Sequence, residues 1–184
     1  MQPTKIDLSA ISAEFTTNYL SYIHLTSAFL PFLQAQKSKT ALIYISSNLA
    51  LIPMVRCPNY CATKAALHHF TMVLRQQLKG SNVKVVEVLP PAVQSKLFSS
   101  SIGNWSERSV RGKEADLWTA ELHDEKHQPD IKNGGSIGMP LDEFTEEAWE
   151  GLVAGDDNVP VGMGKMAWKG FESERQEIFQ RMNS

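Results

Sequence analysis

Ala41-Leu42-Ile43-Tyr44-Ile45-Ser46-Ser47-Asn48, followed after a short loop by Pro58-Asn59-Tyr60-Cys61-Ala62-Thr63-Lys64-Ala65-Ala66-Leu67, is the stretch whose reading decides the fold. An unbroken apolar run bounded by turn residues predicts a buried parallel strand, and the Ala-rich segment after Pro58 predicts the helix that follows it. Ser46 and Ser47 then stand at the carboxyl end of a strand, where open α/β sheets bind their ligands. Tyr60 and Lys64, four apart, fall one turn apart on one helix face. A phenol titrating near about 10 is a poor acid or base at neutral pH, and a nearby ammonium favours the phenolate, which makes Tyr60 a candidate general acid/base. The plain alternative is a Tyr and a Lys decorating a solvated helix.

Composition narrows the function classes. The 184 residues are 42% hydrophobic and 21% charged, as expected of one ordinary globular domain, here taken as residues 1–184. A formal net charge of -2 supplies no basic surface for a polyanion, so neither nucleic acid nor an anionic membrane is expected as a partner. The N-terminal residues lack the basic and apolar regions of a signal peptide and no apolar run reaches membrane-spanning length, so the cytoplasm is the expected location. Cys57 and Cys61 read as two reduced thiols, and no metal site is expected. His123 and His127 have a helical i, i+4 spacing, but Asp124 stands where the zincin pattern needs Glu, so they read as part of a solvated loop. Asn104-Trp105-Ser106 has the form of a glycosylation acceptor, which matters only in a secreted chain.

Ser47, Tyr60 thirteen positions later and Lys64 four beyond that, with the strand before them and Ala65-Ala66-Leu67 after, resemble the active-site segment of the short-chain dehydrogenase/reductase (SDR) family. A lone Tyr-x-x-x-Lys is weak; the Ser, strand and helix in register with it make the resemblance strong. It implies a Rossmann-like doubly wound α/β fold with NAD or NADP as cofactor and a small-molecule alcohol or carbonyl as substrate. It also implies that Tyr60 exchanges a proton with the substrate oxygen, Ser47 holds that oxygen, and Lys64 binds the nicotinamide ribose and acidifies Tyr60.

Upstream, Ser9 or Ser12 caps a predicted helix running through Phe15, Tyr19, Tyr22, Ile23, Leu25, Thr26, Phe29, Leu30 and Leu33, apolar on more than one face and so buried on more than one side. By resemblance this is the family's fourth helix, and Asn18 matches its active-site Asn, which bends the helix and holds a proton-relaying water; Ser21 stands where many members have Gly. The Tyr60 helix is expected to run to about Lys79 with Gly80 as its C-cap. Val83 to Leu89 predicts a second parallel strand buried on both faces. Pro90-Pro91-Ala92-Val93-Gln94-Ser95 follows where SDRs read Pro-Gly-x-Val-x-Thr, which implies cofactor contacts at Pro90, Val93 and Ser95; Pro91 in place of Gly removes an amide donor there.

Residues 95–138 lose periodicity and are expected to form a long loop or insertion. The family reading is a substrate lid. In the DltE-type subgroup, which the chain most resembles, Val-Gln-Thr runs almost directly into Glu-Leu-His-Asp-Glu, so residues 95–119 look instead like an insertion such as a translated intron. Beyond Pro140, Phe144, Ala148, Trp149 and Leu152 mark an amphipathic helix with acids in its first turns. Asn158 to Val161 predicts a short strand, and a last helix runs through Phe171, Ile178 and Phe179. Gly162-x-Gly164-x-x-Ala167 satisfies a dinucleotide fingerprint superficially, but too little chain follows for the second strand and its ribose-binding acid.

The Gly-rich dinucleotide segments of the family are not found before Asn18. The expected architecture is therefore the C-terminal part of the Rossmann-like sheet, about three parallel strands with flanking helices, with the residue 41–46 strand at a sheet edge. Two function classes follow. One is an SDR oxidoreductase retaining Asn18, Ser47, Tyr60 and Lys64, its activity impaired by the missing nucleotide contacts, with NAD and NADP undistinguished. The other is a non-catalytic remnant or interaction module, a homodimer through the two long helices.

Overall fold

The computed structural model describes residues 7–55, 57–94 and 138–183. Ser95, Trp105, His123, His127 and the proposed insertion at 95–119 lie outside the described residues.

Helix α1 (Leu8–Phe15) is capped by Asp7, whose carboxylate accepts from the backbone N–H groups of Ser9 and Ala10 at 2.9 and 3.2 Å. The expected serine cap is thus replaced by an acid, which satisfies the same orphan donors and also suits the positive end of the helix dipole. The helix does not continue regularly: Thr16–Leu20 is a single π-helical turn holding Asn18, after which α2 (Ser21–Gln34) resumes. Wide turns of this kind recur at functional sites because they re-aim the side chains they carry.

Strand β1 (Thr40–Ile45) pairs in parallel with β2 (Val83–Leu89), Thr40 opposite Val83 and Ile45 opposite Val88. Strand β3 (Asn158–Pro160) pairs in parallel on the other side of β2, so the order is β1-β2-β3. The central strand is buried except at Lys84, as its Val-rich sequence requires. The apolar sequence of β1 predicts burial on both faces, and the structure corrects this: Tyr44 is buried, whereas Ile43 and Ile45 are 52% and 48% exposed. The physical reason is its place at the edge, where only the Tyr44 face is covered among the described residues.

Helix α3 (Pro58–Gln77) starts with Pro58, whose fixed φ and missing N–H suit a first helical position. It ends a little earlier than Lys79, with Leu78 as cap residue and Gly80 in the following turn at φ +85°. Its inner face packs on the sheet through Leu67, Leu74 and Leu78 against Tyr44, Val83 and Val85, joined by Tyr19, Tyr22, Leu30, Leu33 and Phe70. Full burial of Leu67 alone contributes on the order of 2 kcal/mol. Asn82 ties α2 to this layer by donating to the carbonyls of Leu33 and Gln36 at 3.0 and 2.9 Å.

The opposite face of the sheet is covered by α4 (Leu141–Ala154), whose Phe144, Ala148 and Leu152 meet Val86, Val88, Val159 and Val161. Gly155 closes α4 in the left-handed region at φ +80°. The segment after β3 forms a short helix, α5 (Gly164–Ala167), a π-helical turn (Trp168–Glu172) and α6 (Ser173–Met182), so the Gly-x-Gly-x-x-Ala run is local turn structure. No helix among the described residues is long and apolar enough to cross a membrane.

Gly151 lies where α4 presses on β3: a Cβ there would stand 2.6 Å from Val159 Cγ1, whereas one at Gly170 would meet nothing within 4 Å. Gly151→Ala should therefore lower stability by about 1–3 kcal/mol through overpacking. Gly170→Ala should leave stability unchanged or slightly higher. Urea denaturation of the two variants checks the contrast, and equal midpoints would refute this packing account.

Candidate active site

The chain leaves β1 through Ser46 and Ser47, both buried, at the carboxyl edge of the sheet. Ser46 N–H donates to Val88 O at 2.9 Å and Asn48 N–H to Pro90 O at 2.9 Å, so the turn after β1 is tied to the end of β2. Ser47 caps a short 3-10 turn (Asn48–Ala50), its Oγ accepting from Leu49 N at 3.1 Å. Asn48 Nδ2 donates to Val161 O at 3.0 Å, which binds the end of β3 to the same rim.

Tyr60 projects from the first turn of α3 towards Ser47. Lys64, one turn further on, is only 7% exposed; its Nζ donates to Ile45 O at 3.2 Å and lies 5.7 Å from the ring centroids of both Tyr60 and Tyr22. The Tyr22 hydroxyl donates to the same carbonyl at 3.2 Å. Asn18 enters through its π-helical turn, with Nδ2 donating to Thr63 Oγ1 at 3.3 Å, and Thr63 in turn donates to Tyr60 O at 2.7 Å. All four residues singled out from the sequence thus meet α3 at one end of the sheet, Asn18 reaching Thr63 rather than Lys64. Of the residues expected at the cofactor, Pro90 accepts from Asn48, and Val93 forms a parallel bridge with Met139.

The electrostatics differ from the sequence expectation in one respect. Burial pushes the Tyr60 phenol above its ordinary value; the Ser47 hydrogen bond works against this, and the acidic groups of Cys57, Cys61 and Glu14 reinforce it. The Lys64 ammonium donates to the Ile45 carbonyl and stands 5.7 Å from the centre of the Tyr60 ring. Burial likewise pushes Lys64 down, opposed by the charge of Glu87. Cys57 and Cys61 are both free thiols with Sγ atoms 3.8 Å apart, and burial followed by the neighbouring Cys61 drives Cys57 up to about 12. Cys57 is therefore no reactive thiolate at neutral pH. Beside them Asn59 donates to Glu14, and burial raises the Glu14 carboxyl despite that bond.

Sequence reasoning missed a buried cluster one turn beyond Lys64. His68 Nδ1 lies 2.7 Å from Glu87 Oε2 and its Nε2 lies 3.0 Å from Glu172 Oε1, all three residues being fully buried. Thr71 also donates to Glu87 Oε2 at 2.7 Å, while Arg175 and Gln176 donate to Glu172 at 2.7 and 2.8 Å. Only an imidazolium donates from both ring nitrogens. Burial opposes that charge, but the bonds to Glu172 and Glu87 outweigh it and lift His68 to about 9. Glu172, which burial would raise, is held at about 2 by His68, Arg175 and Gln176. The available signal was an acid, Glu87, inside an otherwise Val-rich strand.

Residues 2–104 match the family model for short chain dehydrogenase, more than half of the chain. The chain belongs to the short chain dehydrogenase family. Among curated SDR relatives, the uncharacterized oxidoreductase DltE of Bacillus subtilis is 41% identical over 88 residues, covering 48% of this chain and 34% of that protein. Estradiol 17-beta-dehydrogenase 2 of Rattus norvegicus is 39% identical over 83 residues, covering 45% of this chain and 21% of that one. The chain thus spans about a third or less of the length of these relatives. Among solved SDR structures, a short chain dehydrogenase from Burkholderia cenocepacia in complex with NADP superposes with a TM-score of 0.63 at 22% identity, over 98% of this chain and 65% of that one. One from Sphingobium yanoikuyae in complex with NADPH gives 0.63 at 19% identity, over 95% and 57%. At these identities the likeness speaks for the Rossmann-like fold.

His68 supplies a pH signature for this SDR domain. A folded value of about 9 above an unfolded value near about 6.5 means that its stabilisation is complete below the lower value and is lost as pH rises through the higher one. Thermal unfolding should show stability falling between about pH 6.5 and 9, and His68→Gln should flatten that slope. Parallel pH profiles for the two proteins would contradict the imidazolium assignment.

Proposed function

We propose that this chain supplies the acid/base centre of a nicotinamide-dependent alcohol or carbonyl oxidoreductase acting on a small molecule. The observation that carries the reading is the convergence of Ser47, Tyr60 and buried Lys64 at the carboxyl end of β1, with Asn18 behind them. Ser46 Oγ and Asn48 Oδ1 are buried at the same rim with no hydrogen-bond partner among the described residues, Asn48 Oδ1 lying against Gly164. NAD or NADP, when bound, supplies or accepts the hydride. Lys64, with one of three N–H donors used, and the loop of Pro90 and Val93 would hold its nicotinamide end; Ser95, also expected there, lies outside the described residues. Pro91 offers no amide.

Tyr60 acts on the substrate oxygen and Ser47 holds that oxygen by a hydrogen bond. Because burial favours the neutral phenol, Tyr60 keeps its proton at neutral pH and is set to give it to a carbonyl oxygen. Alcohol oxidation needs the phenolate and should speed up as pH rises. Turnover of NADPH or NADP with a panel of small carbonyls and alcohols tests the reading. Tyr60→Phe should lower the rate by roughly 10²–10⁴-fold, and a variant as active as the parent would sink it.

One observation favours association with a second copy, either in the enzyme or as a non-catalytic module. Leu25, Phe29 and Phe32 follow a helical stripe along α2 and are 55%, 55% and 64% exposed. Such a stripe on a long helix suits pairing across a two-fold axis. Sedimentation should show a dimer at micromolar concentration that Phe29→Glu weakens. A monomer in both cases removes this part of the proposal.

A further inference from the structure

We infer that Tyr22 is a positioning residue for Lys64, a second aromatic wall that joins Tyr60 in holding the buried ammonium at the Ile45 carbonyl. The inference deepens the proposed oxidoreductase reading and rests on it for its catalytic meaning. Lys64 is 7% exposed, and among the described residues no carboxylate forms an ion pair with it. A buried ammonium without such a partner depends on neutral groups to keep its charge. Two kinds are in place: the Ile45 carbonyl at 3.2 Å, and the rings of Tyr22 and Tyr60, each with its centroid 5.7 Å from Nζ. That is within the roughly 6 Å at which a ring face attracts a cation.

The Tyr22 ring is itself fixed on three sides. Its hydroxyl donates to Ile45 O at 3.2 Å, the same carbonyl that Lys64 uses, and a carbonyl oxygen has lone pairs for both donors. Burial pushes the Tyr22 phenol above its ordinary value, so it remains a donor at neutral pH. Its ring rests against Tyr44 with centroids 6.0 Å apart. Thr26 donates to Tyr22 O at 2.7 Å and has one proton to give, so the 2.6 Å bond between Thr26 and the Tyr44 hydroxyl takes its proton from Tyr44. The helix that carries Asn18 onto α3 thus also sets an aromatic face beside Lys64, at the start of its next regular stretch.

The titratable groups around Lys64 are Tyr60 and His68 on α3, Tyr22 on α2, Tyr44 on β1, Glu87 on β2 and, beyond His68, Glu172 from the C-terminal segment. Burial would discharge Lys64 and the charge of Glu87 opposes that, but Glu87 is bonded to His68 and Thr71, and a change at Tyr22 leaves those bonds in place. Phe70 belongs to the same aromatic cluster, with its ring centroid 6.2 Å from that of Tyr44 and 6.4 Å from that of Tyr19. The ring contacts of the ammonium are with Tyr22 and Tyr60, so Phe70 is the control for packing alone.

The test reads Lys64 directly. In the full chain labelled at lysine 13Cε, with Lys64→Arg used for assignment, the Lys64 resonance is titrated by NMR. Tyr22→Leu should lower its midpoint by about 0.5–1 pH unit, because the ammonium loses a ring face. Tyr22→Phe, which keeps the ring, should restore most of that loss, and Phe70→Leu, which disturbs the same cluster, should leave Lys64 where it was. Equal falls in Tyr22→Leu and Phe70→Leu, or no fall in Tyr22→Leu, overturn the inference, as does a fall in Tyr22→Phe as large as that in Tyr22→Leu. Should Tyr22→Leu not fold, the parent protein still decides: nuclear Overhauser contacts between the Lys64 ε-protons and the Tyr22 ring must be present, and their absence refutes the role of Tyr22. Absence of turnover in the parent would count against the oxidoreductase reading alone, since the titration needs no activity.

Discussion

The structure turns on one imidazolium held between two buried carboxylates. Glu87 comes from the central strand, His68 from the helix that carries Tyr60 and Lys64, and Glu172 from the C-terminal segment. Arg75 also ties α3 to Val85 of β2 and to the start of β3, but apolar packing by itself tolerates small slides and rotations. A charge triad does not: displacing any member leaves an ion without its partner in a low-dielectric interior, a loss of several kcal/mol. The clamp therefore fixes the rotation of α3 about its axis, and with it the direction in which Tyr60 points.

Seen this way, the inner face of α3 is divided by function along its length. Its first turns carry Tyr60, Thr63 and Lys64, its middle the ionic clamp of His68 and Thr71, and its last turns the apolar anchors Leu74 and Leu78. The apolar end binds the helix to the sheet, the clamp sets its orientation, and the N-terminal end carries the candidate site. The π-helical turn at Asn18 has the complementary task, since it brings a polar side chain onto α3 from a helix whose regular turns present Tyr22, Leu30 and Leu33 to the core.

Much of this was legible in the residues. The limits of β2 follow from Val83 and Leu89 because a strand buried on both faces leaves an unbroken apolar record, and Ser47, Tyr60 and Lys64 follow from spacing on a strand and a helix. What escaped the sequence depends on contacts distant in the chain. Glu172 lies 104 residues from the His68 it bonds, and nothing local distinguishes it from a surface glutamate. The exposure of Ile43 and Ile45 agrees with the edge position expected for the residue 41–46 strand, though the apolar run taken alone reads as buried. Spacing shows that a lysine is near Tyr60, but not how deeply the phenol is buried, and burial pushes it up.

The open edge of β1 has a feature of its own. Thr40 and Ser46 send their N–H groups to β2, so in a parallel ladder the even-numbered residues face β2 and Ala41, Ile43 and Ile45 turn their backbone groups outward. Of the outward carbonyls, that of Ile45 is already taken by Lys64 and Tyr22. An incoming strand can be templated along Ala41 and Ile43 but finds its last acceptor occupied. Lys64 thus also acts as a stop at the end of an edge left open among the described residues, limiting how far a foreign strand can extend the sheet towards the candidate site.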